Sequence, residues 1–165
     1  MLNEINWPQK WLPGTTDNFA SNEIIVKDLA FENVIENLIN TSKWEQYYAN
    51  SSDINMYNQA STKLQQDTRF KFKTFGFDIE AEMEELVIEE NIARIAWHGW
   101  NNATGDEFLD VYHAWLIEKL PQDRLRILTQ ESQIGAPAKA MAQDESHPMI
   151  NGHQDWLDCL AKFSK

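Results

Sequence analysis

An alternating segment in the middle of the chain constrains the fold more than any other feature. Between Phe77 and Glu84, apolar residues occupy every second position and acidic residues stand between them. Successive side chains of a β-strand point to opposite faces of the sheet, so this period predicts a strand with one buried face and one wet face. Such strands are typical of antiparallel sheets, because parallel sheets are covered on both faces. The chain therefore needs an antiparallel sheet and something to cover one side of it.

Other strand and helix patterns surround this segment. Strand patterns cover residues 21–28, 69–73, 92–100, 108–119 and 124–133. Helical spacing covers 31–39, a short piece after Thr41 or Ser42, a short piece from Pro137 and a longer helix from Pro148. The apolar face of that last helix is Met149, His153, Trp156, Leu157 and Leu160. The order predicts an α+β fold, with two short helices after the first strand and a long C-terminal helix packed on an antiparallel sheet.

The charge balance disfavours several classes of partner. Fourteen Lys and Arg residues stand against 26 Asp and Glu residues, a net charge of −12. Phosphate binding needs positive charge, so we expect no nucleic acid and no anionic membrane surface as partner. The longest aliphatic run is Ile24–Val26, which predicts no membrane insertion. Cys159 is the only cysteine and the N-terminus has no leader pattern, so we expect a cytoplasmic protein without a disulfide.

The length of the chain and its helix-breaking residues indicate the domain organisation. A chain of 165 residues corresponds to one domain. Residues 1–20 read as an N-terminal arm, since Pro13 and its neighbours break any helix. Trp7 and Trp11 in a loose tail would be a liability, so we expect the arm to pack on the body. Residues 21–165 then form a single domain.

A set of short motifs carries a family resemblance. The motifs are Asn6–Pro8, Arg69–Gly76, Ile95–Trp97, Tyr112–Ile117, Thr129–Glu131, and His153–Leu157 followed by Leu160. In this order and spacing they resemble the START/SRPBCC (helix-grip) superfamily, and more closely its bacterial polyketide cyclase/dehydrase-like proteins. The resemblance implies a curved antiparallel sheet wrapped around a long C-terminal helix, with a cavity between them. It implies no particular reaction, because this fold hosts binding, transfer and catalysis alike.

Strand alternation predicts which side chains face that cavity. With the charged residues outward, the inner faces are mostly aromatic and aliphatic. The predicted ligand-binding residues are Phe70, Phe72, Phe77, Ile79, Met83, Trp97, His113, Trp115, Thr129, Glu131, Met149 and His153. Such a lining is typical of a pocket for a small hydrophobic or amphipathic molecule, and Met141 with Met149 could adapt near its entrance. The same residues could instead form a filled core.

Three polar residues each have two interpretations. If the last two strands form a hairpin that turns near Gln122, His113 faces Glu131. A buried carboxyl beside an imidazole can serve as an acid/base pair, and it can equally satisfy two buried polar groups without chemistry. His153, on the inner face of the last helix, either reaches the cavity or packs the helix.

The remaining motif searches exclude common site types. The histidines at 98, 113, 147 and 153 lack metal-ligand spacing, and there is no nucleophile elbow or phosphate-binding loop. We therefore expect no metal and no cofactor. The leading hypothesis is binding of a small lipid-, polyketide- or aromatic-like ligand in an internal cavity. The alternatives are a cyclase/dehydratase-type enzyme that uses His113 and Glu131, and a protein-interaction module.

Overall fold

Seven strands and four helices make up the protein, whose computed structural model describes all 165 residues. The strands are β1 (Asn18–Lys27), β2 (Ser52–Met56), β3 (Arg69–Thr74), β4 (Phe77–Ile88), β5 (Ile92–Trp100), β6 (Asp110–Leu120) and β7 (Arg124–Ile134). The helices are α1 (Phe31–Ile39), α2 (Trp44–Tyr47), α3 (Ala136–Gln143) and α4 (Pro148–Phe163). None of these helices has both the length and the apolar character that a membrane crossing requires.

The strands form one antiparallel sheet in the order β1-β7-β6-β5-β4-β3-β2. The first strand therefore pairs with the last, and the two short helices α1 and α2 lie between β1 and β2 along the chain. The predicted α+β helix-grip fold is confirmed. In the β6–β7 hairpin His113 pairs with Glu131, as the turn near Gln122 predicted.

Two details of the sheet differ from the sequence predictions. The first strand begins at Asn18, three residues before the predicted start, because Asn18 already pairs with Gln133 of β7. The short strand β2 was missed altogether. It has no fully buried residue and its pairing with β3 shifts register, so it carries no alternating pattern that could reveal it.

Helix α4 lies across the inner face of the sheet. Pro148 occupies its first turn, where the missing N–H costs nothing. The predicted apolar face is confirmed, since Met149, His153, Trp156, Leu157 and Leu160 are all buried. The helix interior contains Gly152, a residue that weakens a helix by about 1 kcal/mol relative to alanine.

A cluster of large aromatic rings fills the middle of the space between the sheet and α4. Trp44 of α2 is fully buried, with its ring centroid 5.1 Å from Trp156, 5.6 Å from Trp97 and 5.6 Å from Phe72. Phe70 is buried beside it, and Trp115 is buried against Trp156. Each such side chain stabilises the fold by roughly 2–3 kcal/mol through the apolar surface that it removes from water. The interior beneath the C-terminal half of α4 is therefore solid.

The N-terminal residues lie on the outer face of the sheet. Trp11 is 5% exposed and packs on Tyr112, Ala96 and Ala114. Lys10 forms an ion pair with the buried Asp110 at 2.7 Å. These contacts leave the inner face of the sheet to α4.

Candidate functional site

A pocket lies between the sheet and the N-terminal half of α4. It is lined by Phe72, Thr74, Phe75, Phe77, Ile79, Trp97, Leu109, Val111, His113, Glu131, Gln133, Met141, Met149, His153 and Trp156. Ten of these residues are hydrophobic. Water-sized molecules can occupy about 30 Å³ of the pocket, which is room for about two waters. In this conformation the pocket is thus narrow and closed.

His113 on β6 forms the floor of the pocket. Its Nε2 lies 2.7 Å from Thr129 Oγ1. The Thr129 hydroxyl donates to the Ala114 carbonyl oxygen at 3.2 Å, so it accepts a hydrogen bond from His113 Nε2–H. This network assigns the imidazole tautomer and leaves the lone pair on Nδ1. That lone pair faces Glu131 Oε1 at 3.3 Å.

Glu131 on β7 completes the pair as a neutral acid. Gln133 Nε2 donates to Glu131 Oε2 at 2.5 Å, which leaves Oε1 to carry a proton. Burial raises the pKa of Glu131 to about 8, although the Gln133 hydrogen bond acts to lower it. Burial, followed by repulsion from His153, holds the pKa of His113 well below its usual value. Near neutral pH both groups are therefore held in their uncharged forms, with Glu131 Oε1 lying 3.3 Å from His113 Nδ1.

His153 of α4 covers this pair from above. The imidazole rings of His153 and His113 stack with centroids 4.5 Å apart and planes inclined by 18°. His153 is 1% exposed, and burial lowers its pKa to about 3, so it is neutral. Its Nδ1 is buried without a hydrogen-bond partner. An unpaired polar atom of this kind costs about 1–3 kcal/mol.

Phe75 closes the mouth of the pocket from the β3–β4 turn. Phe75 and Gly76 have φ angles of +51° and +78°, as in a two-residue type I′ turn. A bulky aromatic residue is uncommon in this left-handed region. The Phe75 N–H donates to Asn50 Oδ1 at 2.7 Å. The ring lies edge-on to His153 with centroids 5.8 Å apart, in a space that exists because Gly152 has no side chain.

The three polar residues of the floor also contain metal-ligating atoms. One such atom from each of His113, Glu131 and His153 lies within 4.8 Å of the others, although the three residues come from different elements. An imidazole lone pair lies in the plane of its ring, so two stacked rings do not direct their lone pairs at one ion. A metal would require the His153 ring to turn and Glu131 to lose its proton. As arranged, His113 and Glu131 lie side by side beneath the stacked ring of His153.

The pocket collects most of the sequence-predicted residues but not all of them. Those that line it are Phe72, Phe77, Ile79, Trp97, His113, Glu131, Met149 and His153. Phe70, Met83, Trp115 and Thr129 do not reach it, contrary to the sequence prediction, and are buried in the core instead. Phe70 packs on Trp44 and Trp115 packs on Trp156, so the aromatic cluster surrounds these two side chains. Thr129 contributes indirectly through its hydrogen bond to His113.

Several lining residues were not predicted. Val111 and Gln133 lie two positions from His113 and Glu131 on the same strands, so alternation extended by one step would have found them. Trp156 was assigned only to helix packing. No sequence pattern could have placed Phe75 in the pocket, because it lies in a turn and its ring contacts α4 only in the folded protein.

Comparisons with known proteins place these features in context. The solved structure of a hypothetical protein from Helicobacter pylori is 57% identical to this chain, covers 100% of it and 98% of its own length, and superposes with a TM-score of 0.99. No protein-family model matches the chain, and no curated protein matches it.

Two further solved structures share the fold at low identity. The di-domain ARO/CYC StfQ from the steffimycin biosynthetic pathway has a TM-score of 0.60 at 10% identity, over 90% of this chain and 52% of its own. The human StarD13 lipid transfer and protein localization domain has a TM-score of 0.57 at 6% identity, over 89% of this chain and 77% of its own. At these identities the likeness establishes the fold alone.

Proposed function

The chain belongs to the START/SRPBCC helix-grip superfamily, in one family with the Helicobacter pylori protein, and we propose that it binds a small hydrophobic or amphipathic molecule between sheet and α4. One observation carries this proposal. His153 lines the apolar pocket, and its Nδ1 is a buried polar atom for which the protein supplies no partner. A ligand with a polar end would satisfy that atom while its apolar body lies against the aromatic lining.

Because the pocket is closed in this conformation, it has to open before a ligand can bind. Known ligand pockets measure roughly 300–1,000 Å³, far more than the 30 Å³ open to water here. Phe75 and Met141 are partly exposed lining residues, Met149 is buried, and methionine side chains adapt readily to different shapes. Displacement of the Phe75 ring from its place beside Gly152 would join the pocket to solvent.

The shared fold supports a ligand-binding role in general terms. One solved neighbour is a lipid transfer domain and another is an ARO/CYC protein of a biosynthetic pathway. Both names are consistent with a helix-grip cavity that holds a small organic molecule. The identity of the molecule has to come from the residues of this pocket.

Native mass spectrometry tests the proposal directly. We expect freshly purified protein to carry a discrete added mass on the 19.2 kDa chain, and organic extraction to remove and identify it. A weakly held ligand could be lost during purification, so the same sample is titrated with Nile red, an uncharged apolar fluorescent probe. A bare chain that also fails to bind Nile red, both as wild type and as Phe75→Ala, would contradict the proposal.

A cyclase or dehydratase activity is the second candidate function. The observation that favours it is the contact of 3.3 Å between His113 Nδ1 and Glu131 Oε1, with a glutamate pKa of about 8. A general acid or base works best when its pKa lies near the working pH. With a substrate recovered by extraction, His113→Ala should abolish turnover and keep ligand affinity within about tenfold, or ~1.4 kcal/mol. Equal loss of turnover and affinity would assign the pair to binding.

A further inference from the structure

We infer that the pocket selects a ligand with an uncharged hydroxyl group on a planar apolar body, and that His153 is the residue that anchors the hydroxyl. This inference rests on the proposed function and specifies its ligand class. Three features of the pocket carry it, namely the charge of its floor, the unpartnered nitrogen of His153 and the slot that the Phe75 ring occupies.

The floor of the pocket has no charge to offer an ion. Thr129 holds the His113 proton on Nε2, and the Gln133 bond to Oε2 leaves Glu131 Oε1 to carry a proton beside the lone pair of His113 Nδ1, so the pair presents no net charge. No lysine or arginine lines the pocket. A carboxylate ligand would therefore be desolvated without a partner, which costs several kcal/mol. An ammonium ligand would pair with Glu131 only after the glutamate had lost its proton.

A hydroxyl group fits the nitrogen of His153 in either tautomer. If Nδ1 carries the lone pair, the hydroxyl donates to it; if Nδ1 carries the proton, the hydroxyl accepts from it. A ketone can only accept, so it would serve one tautomer alone. Because His153 Nδ1 is buried without a partner, a ligand hydroxyl there would recover a hydrogen bond that the closed protein lacks.

The slot above His153 has the shape of a flat ring. The Phe75 ring now fills it, edge-on to His153 and against the backbone of Gly152, where any side chain would overlap it. Trp97 and Phe77 line the neighbouring walls. An aromatic ligand ring that takes the place of Phe75 would keep the edge-on contact, a geometry that aromatic pairs favour.

A matched ligand series tests the inference on the full chain. Equilibrium dialysis at pH 7 compares 2-naphthol, naphthalene, 2-naphthoate and 2-naphthylmethylammonium, which share one planar body. We expect 2-naphthol to bind at least tenfold more tightly than each of the others. In His153→Phe, which keeps a ring but has no nitrogen, 2-naphthol should fall to the affinity of naphthalene, which itself should change less than twofold. His147→Asn, an exposed histidine outside the pocket, is the control and should change neither.

The outcomes separate this inference from the proposed function. Equal binding of 2-naphthol and naphthalene to the wild type, or preference for 2-naphthoate, would overturn the inference and leave ligand binding intact. Equal loss of 2-naphthol and naphthalene in a folded His153→Phe protein would make His153 a packing residue. Stoichiometric binding of Zn²⁺ alone, abolished in His153→Phe, would assign the nitrogen to a metal. Failure of all four compounds to bind would count against both proposals.

Discussion

Glu131 should make the protein less stable as the pH rises through neutrality. The pKa of this carboxyl is raised from 4.5 to about 8 by burial. A raised pKa means that the folded protein holds a proton that the unfolded chain has released, so its contribution to stability is full below pH 4.5 and disappears as the pH rises through about 8. His113 and His153 act in the opposite direction, but only below their ordinary pKa of 6.5. Above pH 6.5 the effect of Glu131 can therefore be measured without them.

The magnitude follows from the size of that window. One proton difference changes the free energy of unfolding by about 1.4 kcal/mol per pH unit. Between pH 6.5 and 8 the contribution of Glu131 should fall by roughly 2 kcal/mol. Glu131→Gln removes the titration and keeps the hydrogen bond from Gln133, because the amide oxygen can accept it in place of Oε2. Its unfolding free energy should not show this fall.

Urea unfolding followed by tryptophan fluorescence measures the difference. Wild type and Glu131→Gln are unfolded at four pH values from 6.5 to 8, and only the difference between their pH slopes is used. Groups elsewhere in the chain titrate alike in both proteins, so they cancel. Parallel slopes would refute the argument, since they would mean that Glu131 is already ionised in the folded protein at pH 6.5.

Three other variants test whether Phe75 closes the pocket and whether the aromatic cluster around Trp44 is tightly packed. Phe75→Ala should bind Nile red several-fold more tightly than wild type, because no ring competes for the slot; unchanged affinity would show that Phe75 does not close the pocket. Gly152→Ala should do the same by displacing the Phe75 ring, and thermal unfolding should show a net loss of stability despite a gain in helix propensity of about 1 kcal/mol. A stabilised Gly152→Ala would mean that the ring moves at no cost. Trp44→Ala should lower the free energy of unfolding by about 3–5 kcal/mol in urea, and a loss below 1 kcal/mol would show that the cluster is loosely packed.

Much of the sheet could be predicted because the residues of its strands show which face is buried and which is exposed. Strands β3 and β4 each have one charged and one apolar face, so the period is visible in the residues themselves. The pairing of His113 with Glu131 was accessible for a related reason: a short hairpin turn sets the register of both strands. Strand β2 lacks a buried face, so only its pairing with β3 identifies it.

Only the part of the site that lies on the sheet could be predicted from the sequence. His153 was placed on the inner face of α4 by its spacing, but its stacking on His113 depends on where the helix docks. Trp44 lies in the short helical piece predicted after Thr41 or Ser42, yet nothing in so short a helix reveals that its ring reaches the centre of the interior. That ring fills the centre of the interior and packs against Phe70, which does not line the pocket.

The order of residues along α4 limits how long a bound molecule can be. Met149 and His153, which line the pocket, come first; Trp156, whose ring contacts Trp44 and Trp115, comes next and forms the end wall. At a rise of 1.5 Å per residue, the helix between Met149 and Trp156 spans about 10 Å. A body of one or two fused rings fits that length, whereas an extended acyl chain would have to pass through the packed cluster beyond Trp156. The geometry of this pocket therefore favours a compact ring system over a long-chain lipid, even though the StarD13 lipid transfer domain shares the fold.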